Sequence, residues 1–152
     1  MYHQKQKGFS TLQVVASIAI AGVLTATAAN ILVPMFLQTE LNAAYEELYM
    51  VTTAVREIKE YEGDYDNLAN FTYLTANGYI QTANDRYTDG DDQNAYGADI
   101  TAVLVTGGLD ATVTYTTDED EQCENLERRA VSIAGLTGTP ACAASVLTVT
   151  VD

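Results

Sequence analysis

The most prominent pattern in the chain is a long apolar stretch close to its N-terminus. Between Phe9 and Leu37 lie 29 residues without an ionisable side chain. About 20 apolar residues are enough for a helix to cross a bilayer, so the stretch predicts a membrane-spanning helix. Ala and Gly are frequent and the polar members are uncharged, which favours close packing against other helices. These polar members are Ser10, Thr11, Gln13, Ser17, Thr25, Thr27 and Asn30.

A second helical pattern follows directly after the apolar stretch. Apolar residues recur at spacings of three and four with charged residues between them, which is typical of a helix with one buried face. They are Leu41, Tyr45, Leu48, Val51 (or Thr52), Val55 and Ile58. Gly63 followed by Asp64 predicts the end of this helix. A single helix over Phe9–Glu62 would be about 80 Å long, with bends or local melting expected at Gly22 and Pro34.

The rest of the chain has a pattern of loops and strands. Residues 65–99 are rich in Asn, Asp, Gly and Tyr, which predicts a long connecting region with a short helix near 67–77. The β-branched runs Ile100–Val105 and Ala111–Thr117 are separated by Thr-Gly-Gly-Leu-Asp and predict a β-hairpin. Ser145–Val151 predicts a further strand.

A short helix is expected between the hairpin and the last strand. Asp118 offers an N-cap, acidic residues follow it, and Arg128 and Arg129 lie near the expected C-terminus, as the helix dipole favours. The strands would form an antiparallel sheet whose inner face covers the apolar stripe of the long helix. The predicted fold class is therefore α+β. Its segments are a leader at 1–8, an apolar transmembrane helix at 9–39, an amphipathic continuation at 40–62 and a globular head at 63–152.

Charge is distributed very unevenly along the chain. There are 21 acidic residues against 7 Lys and Arg, for a net charge of -14. Lys5 and Lys7 precede the apolar stretch, and every acidic residue lies at Glu40 or beyond. The positive-inside rule then places the N-terminus in the cytoplasm and the C-terminal part outside. So negative a surface repels phosphate backbones, which makes nucleic acid an unfavourable partner.

Two cysteines, Cys123 and Cys142, occur in the part of the chain that would be exported. An oxidising compartment makes a disulfide the default, and closing this loop would stabilise the fold by about 3 kcal/mol. Two reduced, buried cysteines are the alternative. A metal site is disfavoured because the single histidine, His3, lies in the predicted leader.

No residue pattern points to catalysis. With His3 as the sole histidine, a Ser/His/Asp set outside the leader is impossible, and the chain has no phosphate-binding glycine loop. An enzyme is not predicted, and neither is a cofactor. The acidic run with Asp89, Asp91 and Asp92 supplies weak calcium candidates, but its spacing does not match an EF-hand loop and favours a solvated loop.

The sequence Lys-Gly-Phe-Ser-Thr-Leu-Gln-Val-Val-Ala-Ser-Ile-Ala-Ile-Ala-Gly-Val-Leu, starting at Lys7, resembles the processing and assembly segment of type IV prepilins. The resemblance is specific over about thirty residues. It implies that a membrane-bound prepilin peptidase cuts between Gly8 and Phe9 and that Phe9 is then N-methylated. Gly22 matches a glycine that many members carry fourteen residues into the mature chain.

The resemblance has two departures. Most pilins have Glu at the fifth mature position, where this chain has Gln13, and an amide cannot cancel the charge of a neighbour's terminal amine. A proline that many members carry near Asn30 is absent, and Pro34 lies four residues later. Many pilins also close their last sheet region with a disulfide, a feature that Cys123 and Cys142 match.

The resemblance implies a structural subunit of a bacterial type IV pilus, either major or minor. Such a subunit resides in the inner membrane before assembly and then forms an extracellular helical filament of identical copies, through the pilus assembly machinery. A pseudopilin of a type II secretion system is an alternative. Another is a released binding domain cut by signal peptidase between Ala28 and Ala29, or a plain single-pass anchor.

Overall fold

A computed structural model describes residues 11–80, 94–98, 100–104 and 109–152. These residues form two compact units that divide between Gln38 and Thr39. The fold is α+β, as the sequence predicts. Its elements are α1 (Thr11–Glu62), α2 (Thr72–Ala76), β1 (Ile100–Leu104), β2 (Ala111–Thr116), α3 (Asp120–Ala130), β3 (Ala141–Ala143) and β4 (Val146–Val151).

Helix α1 is continuous over 52 residues and contains Pro34. Its predicted end is confirmed, because Gly63 has a φ of 90° and its N–H donates to the Lys59 carbonyl at 2.9 Å. A glycine at positive φ closes a helix without the steric penalty of a side chain. The local melting expected at Gly22 and Pro34 does not occur, because the helix continues through both residues. A proline removes one backbone hydrogen bond, and the neighbouring bonds maintain the helix.

The sheet has four antiparallel strands in the order β1-β2-β4-β3. The β1–β2 hairpin is confirmed, with Ile100 opposite Tyr115, and β4 confirms the predicted last strand. Strands β2 and β4 pair over six residues, from Ala111–Val151 to Thr116–Val146. The sequence did not predict β3, because its three residues Ala-Cys-Ala have no β signal of their own. This strand forms through its pairing with β4.

The inner face of the sheet packs on residues 44–58 of α1. The predicted apolar stripe is confirmed, since Leu48, Val51, Val55 and Ile58 are fully buried. They belong to a single core cluster with alternate residues of β2 and β4 and with one face of α3. The cluster members from these elements are Ala111, Val113, Tyr115, Leu147, Val149, Val151, Cys123, Leu126 and Ala130.

The segment that follows α1 contributes more to the core than its sequence indicates. We expected a connecting region here, yet five of its large side chains are buried to within 1% of complete coverage, namely Tyr65, Leu68, Phe71, Leu74 and Ile80. Their spacing follows an irregular chain path and so shows no helix or strand period. The short helix expected near 67–77 is confirmed as α2.

Helix α3 begins one residue later than expected. We expected Asp118 as the N-cap, but the N-cap is Glu119. The side-chain oxygen of Gln122 accepts the backbone N–H groups of Asp118 at 3.2 Å and Glu119 at 3.3 Å. A capping box of this kind is selected by the glutamine three residues into the helix, so Gln122 decides the boundary. The prediction of Arg128 and Arg129 at the helix end is confirmed, because both lie in the last turn.

The turn between β3 and β4 holds two residues in a left-handed conformation. Ala144 has a φ of 50° and Ser145 a φ of 61°, and they lie between the paired residues Ala143 and Val146. Two-residue hairpins with positive φ at both positions favour Asn and Gly, and Ala is strained there. We expect Ala144→Asn to raise the free energy of unfolding by about 0.5–1 kcal/mol. Chemical unfolding checks this, with Ala143→Asn in β3 as the control that should be neutral or destabilising.

Candidate functional site

The N-terminal part of α1, residues 11–38, exposes its apolar side chains. Val23 is 67% exposed, Leu24 64% and Phe36 65%. By length and composition this helix could cross a membrane, with a mean hydropathy of 1.9 over its most apolar window, none of which is buried. An uncharged apolar surface of this length is stable only when lipid or other protein covers it. After the resemblance in its sequence, we call residues 11–38 the assembly segment.

Three hydroxyl groups of the assembly segment are bonded within the helix itself. Ser17, Thr25 and Thr27 each donate to the backbone carbonyl four residues earlier, at 2.8 Å. The sequence favours close packing of these residues against other helices, and internal hydrogen bonds are consistent with such packing. A hydroxyl that is already paired enters hydrocarbon or a helix bundle at little cost. These three hydroxyl groups are therefore compatible with burial of the segment.

No packing contact in the described part of the chain explains why position 22 of α1 is a glycine. A Cβ placed on it would meet no neighbouring atom within 4 Å. Glycine in the interior of a helix is less stable than alanine by about 0.5–1 kcal/mol. Ala19 and Ala26 lie one turn to either side, so three small residues share one face. Such a face lets a second helix backbone approach closely.

The other sequence-predicted site residues lie in different places. Gln13 and Pro34 are exposed on the assembly segment, and the Gln13 carbonyl accepts the Ser17 hydroxyl. Gly8 and Phe9 lie outside the residues that the structure describes, and so do Asp89, Asp91 and Asp92. The cleavage, methylation and calcium predictions therefore remain predictions. Within the described ranges, no group of three His, Cys, Asp or Glu side chains is arranged to hold a metal ion.

The predicted disulfide is confirmed. Cys123 and Cys142 are bonded, with their Cα atoms 6.0 Å apart. The bond joins α3 to β3, and the backbone N–H of Cys142 donates to the Glu127 carboxylate at 3.2 Å. The shortest strand of the sheet is thus held by both a covalent bond and a charge-assisted hydrogen bond.

Two carboxylates of α1 accept hydrogen bonds from the head, and the sequence predicted neither set of bonds. The first is Glu47, which accepts the Tyr115 hydroxyl and the Ala95 N–H, each at 2.7 Å. Tyr115 is fully buried, and this burial, together with the hydrogen bond to Glu47, raises the pKa of the phenol. The bonds join α1, the loop at 94–98 and β2. No local pattern reveals them, because the partners are 48 to 68 residues away in the chain.

The second carboxylate is Glu62, the last residue of α1. It accepts the hydroxyls of Tyr73 at 2.7 Å and Tyr79 at 2.8 Å, and the Asn67 amide at 2.8 Å. A negative charge at a helix C-terminus opposes the helix dipole, and three donors offset this. The two tyrosine rings stack with centroids 6.3 Å apart. The cluster fixes the segment after α1 against the helix end.

The Glu62 cluster predicts a pH dependence on the alkaline side. The hydrogen bond to Glu62 raises the pKa of Tyr79 from 10.0 to about 12. A phenol with a raised pKa contributes stability that is present below pH 10 and is lost as the pH rises through about 12. We expect Glu62→Gln to lower this pKa toward 10, which an absorbance titration of the tyrosines measures. Glu60→Gln, which changes the same charge two residues earlier, is the control and should leave the titration of Tyr79 unchanged.

Comparisons with known protein families, with curated proteins and with solved structures find no match to this chain. The evidence on its function therefore comes from this chain alone. It consists of an uncharged, exposed apolar helix segment, a small-residue face at Gly22 on that segment, and an acidic head with a disulfide.

Proposed function

We propose that the chain is the precursor of a type IV pilin-like subunit, which is polymerised through its N-terminal helix into an extracellular filament. The observation that carries the proposal is the assembly segment, whose large apolar side chains are half to two-thirds exposed. In a simple membrane anchor, such a segment would contact lipid alone. The small-residue face at Gly22 and the prepilin-like sequence before it add a reason to pack against copies of the same helix.

The charge distribution supports a step in which the leader is removed. Cleavage between Gly8 and Phe9 takes away Lys5 and Lys7, which leaves 5 of the 7 basic residues against 21 acidic ones. The mature helix can then leave the bilayer without moving a lysine through hydrocarbon. Each large apolar side chain that passes from lipid to a helix bundle stays buried, so about 1.5–3 kcal/mol per side chain of burial is retained.

Gln13 favours a particular kind of subunit within this proposal. An amide accepts a hydrogen bond from a neighbour's terminal amine but leaves that positive charge uncompensated. Assembly of this chain with itself then depends on the apolar surface and the Gly22 face. A minor subunit that is inserted among glutamate-bearing neighbours fits this residue better than a subunit that forms a whole filament unaided.

The released-domain alternative fits the structure less well. A protein that starts at Ala29 would keep a short apolar end, with Ile31 57% exposed, Met35 60% and Phe36 65%. Such an end would associate with membranes or with itself in solution. A pseudopilin keeps the same assembly chemistry, and the acidic run at 85–92 is the feature that favours it.

Intact mass spectrometry of the protein from membranes and sheared filaments tests the proposal. We expect a chain that starts at N-methylated Phe9. A start at Ala29, or a protein that keeps Met1 in cells that process other prepilins, would contradict it. Electron microscopy of cells with and without the gene then distinguishes surface filaments from a short periplasmic pseudopilus.

A further inference from the structure

Threonine is the most frequent residue on the outer face of the sheet. Burial alternates along β2 and β4, so every second residue points away from the core. Strand register aligns these outward residues in rows, with Thr101 opposite Thr114 and Thr114 opposite Thr148. We call the six outward threonines the threonine face: Thr101, Thr112, Thr114, Thr116, Thr148 and Thr150.

The threonine face is uncharged in a strongly acidic protein. The remaining described side chains that the strands direct outward are Ala141, Ala143 and Val146. None of these nine side chains is ionisable, whereas the chain as a whole has a net charge of -14. Two copies that approach through the acidic surfaces of the head bring carboxylates together, and this repulsion disfavours contact. Among the described residues of the head, those of the threonine face let a second copy approach without that repulsion.

One hydroxyl pair and the threonine methyl groups lower the cost of burying the face. The Thr101 and Thr114 hydroxyls bond to each other across the strands at 2.5 Å. Hydroxyls that pair within the face lose little on leaving water, and the threonine methyl groups gain from burial. A regular array of hydroxyls and methyls is also complementary to an identical array turned by a two-fold rotation.

The face is too small for a stable contact between two single subunits, so it indicates a contact that is repeated along a polymer. With strands about 4.8 Å apart and about 3.4 Å per residue, the face covers about 400 Å². A stable complex needs about 800 Å² from each partner. A single pair of subunits would therefore separate readily, whereas a row of such contacts along two polymers would hold through multivalency.

The fold places this face on the side of the sheet away from residues 44–58 of α1, which pack on the inner side. In a filament whose subunits turn residues 44–58 toward the centre, the threonine face would point outward. A two-fold contact between identical faces is incompatible with neighbours inside a polar helical filament, because those contacts join different surfaces. We propose, on the basis of the proposed function, that the threonine face joins subunits of adjacent filaments and bundles them side by side.

The test uses filaments of the full chain with a charge placed on the face. In Thr114→Asp filaments, every lateral contact brings like charges together. We expect the fraction that pellets at low speed to fall about tenfold or more, since many weak contacts fail together. Thr114→Lys filaments, prepared separately, should behave in the same way. Mixing the two preparations should restore bundles that contain both variants, because opposite charges then meet.

Thr72→Asp and Thr72→Lys are matched controls, because Thr72 is exposed at the start of α2 and outside the sheet. They should bundle like the unmodified chain. If Thr114 variants form no filaments, the same pair of changes at Thr101 on the edge strand β1 replaces them. Filaments that bundle equally with and without the charges, or unmodified filaments that never bundle, would overturn the inference and leave the proposed function intact. No filaments from the unmodified chain would instead count against the proposed function, and with it the inference.

Discussion

If the chain polymerises as proposed, replacing Gly22 with leucine should leave the protein in the membrane and remove its filaments. Leucine is more apolar than glycine and a better helix former by about 0.5–1 kcal/mol, so insertion of α1 is retained or improved. A Cβ at this position meets no neighbour within 4 Å in the described chain, so the head should unfold as before. A second helix that approaches at Gly22 would meet four new carbon atoms. We expect at least a tenfold loss of filaments, counted by electron microscopy.

The matched control is Val23→Leu, one residue further along the same helix. Val23 is 67% exposed and already carries a branched side chain, so the change adds bulk without filling the small-residue face. Membrane fractionation should find both variants in the membrane at equal amounts. Normal filament numbers with Gly22→Leu would show that the small-residue face at Gly22 is not required for assembly. Loss of the variant from the membrane would show instead that the substitution acts on insertion.

Removing the disulfide should produce the largest change in the stability of the head. Cys123 is fully buried in the core and Cys142 lies in a strand of three residues. Closing a loop with a sequence separation of 19 lowers the conformational entropy of the unfolded chain, which stabilises the folded state by about 3 kcal/mol. We expect the double variant Cys123→Ala, Cys142→Ala to lose about that much unfolding free energy. Chemical unfolding of the full-length protein in detergent measures it.

The control for this prediction is Ala143→Ser, an exposed position in the same strand. It should change the unfolding free energy by less than about 0.5 kcal/mol. The unmodified protein under strong reducing conditions should approach the stability of the double variant. A double variant that lost less than about 1 kcal/mol would show that α3 and β3 hold their places through packing and the Glu127 hydrogen bond alone.

Periodic features of this fold could be predicted from the sequence. The apolar stripe of α1, its end at Gly63 and the β1–β2 hairpin each depend on residue spacing or on a local conformational preference. These signals act within a few residues, so tertiary contacts did not override them. The disulfide was predictable for another reason: only two cysteines are present and the segment is expected outside the cell.

Features that depend on distant partners could not be predicted. Strand β3 exists because β4 pairs with it, and the buried residues of 65–80 follow a path that has no period. Glu47 and Glu62 were ordinary members of a charged helix face until the fold brought tyrosines to them. The α3 boundary was missed by one residue because a glutamine inside the helix, and not the aspartate before it, bonds to the backbone.

The position of β4 has a consequence for biosynthesis. It lies between β2 and β3, both of which precede it in the chain, so neither can complete its pairing until β4 has been made. During that interval the buried face of α1 around Leu48 and Val55 is not yet covered by the complete sheet. The nascent chain therefore passes through a stage with an open sheet and an uncovered helix face, and at that stage pairing with another copy competes with correct folding.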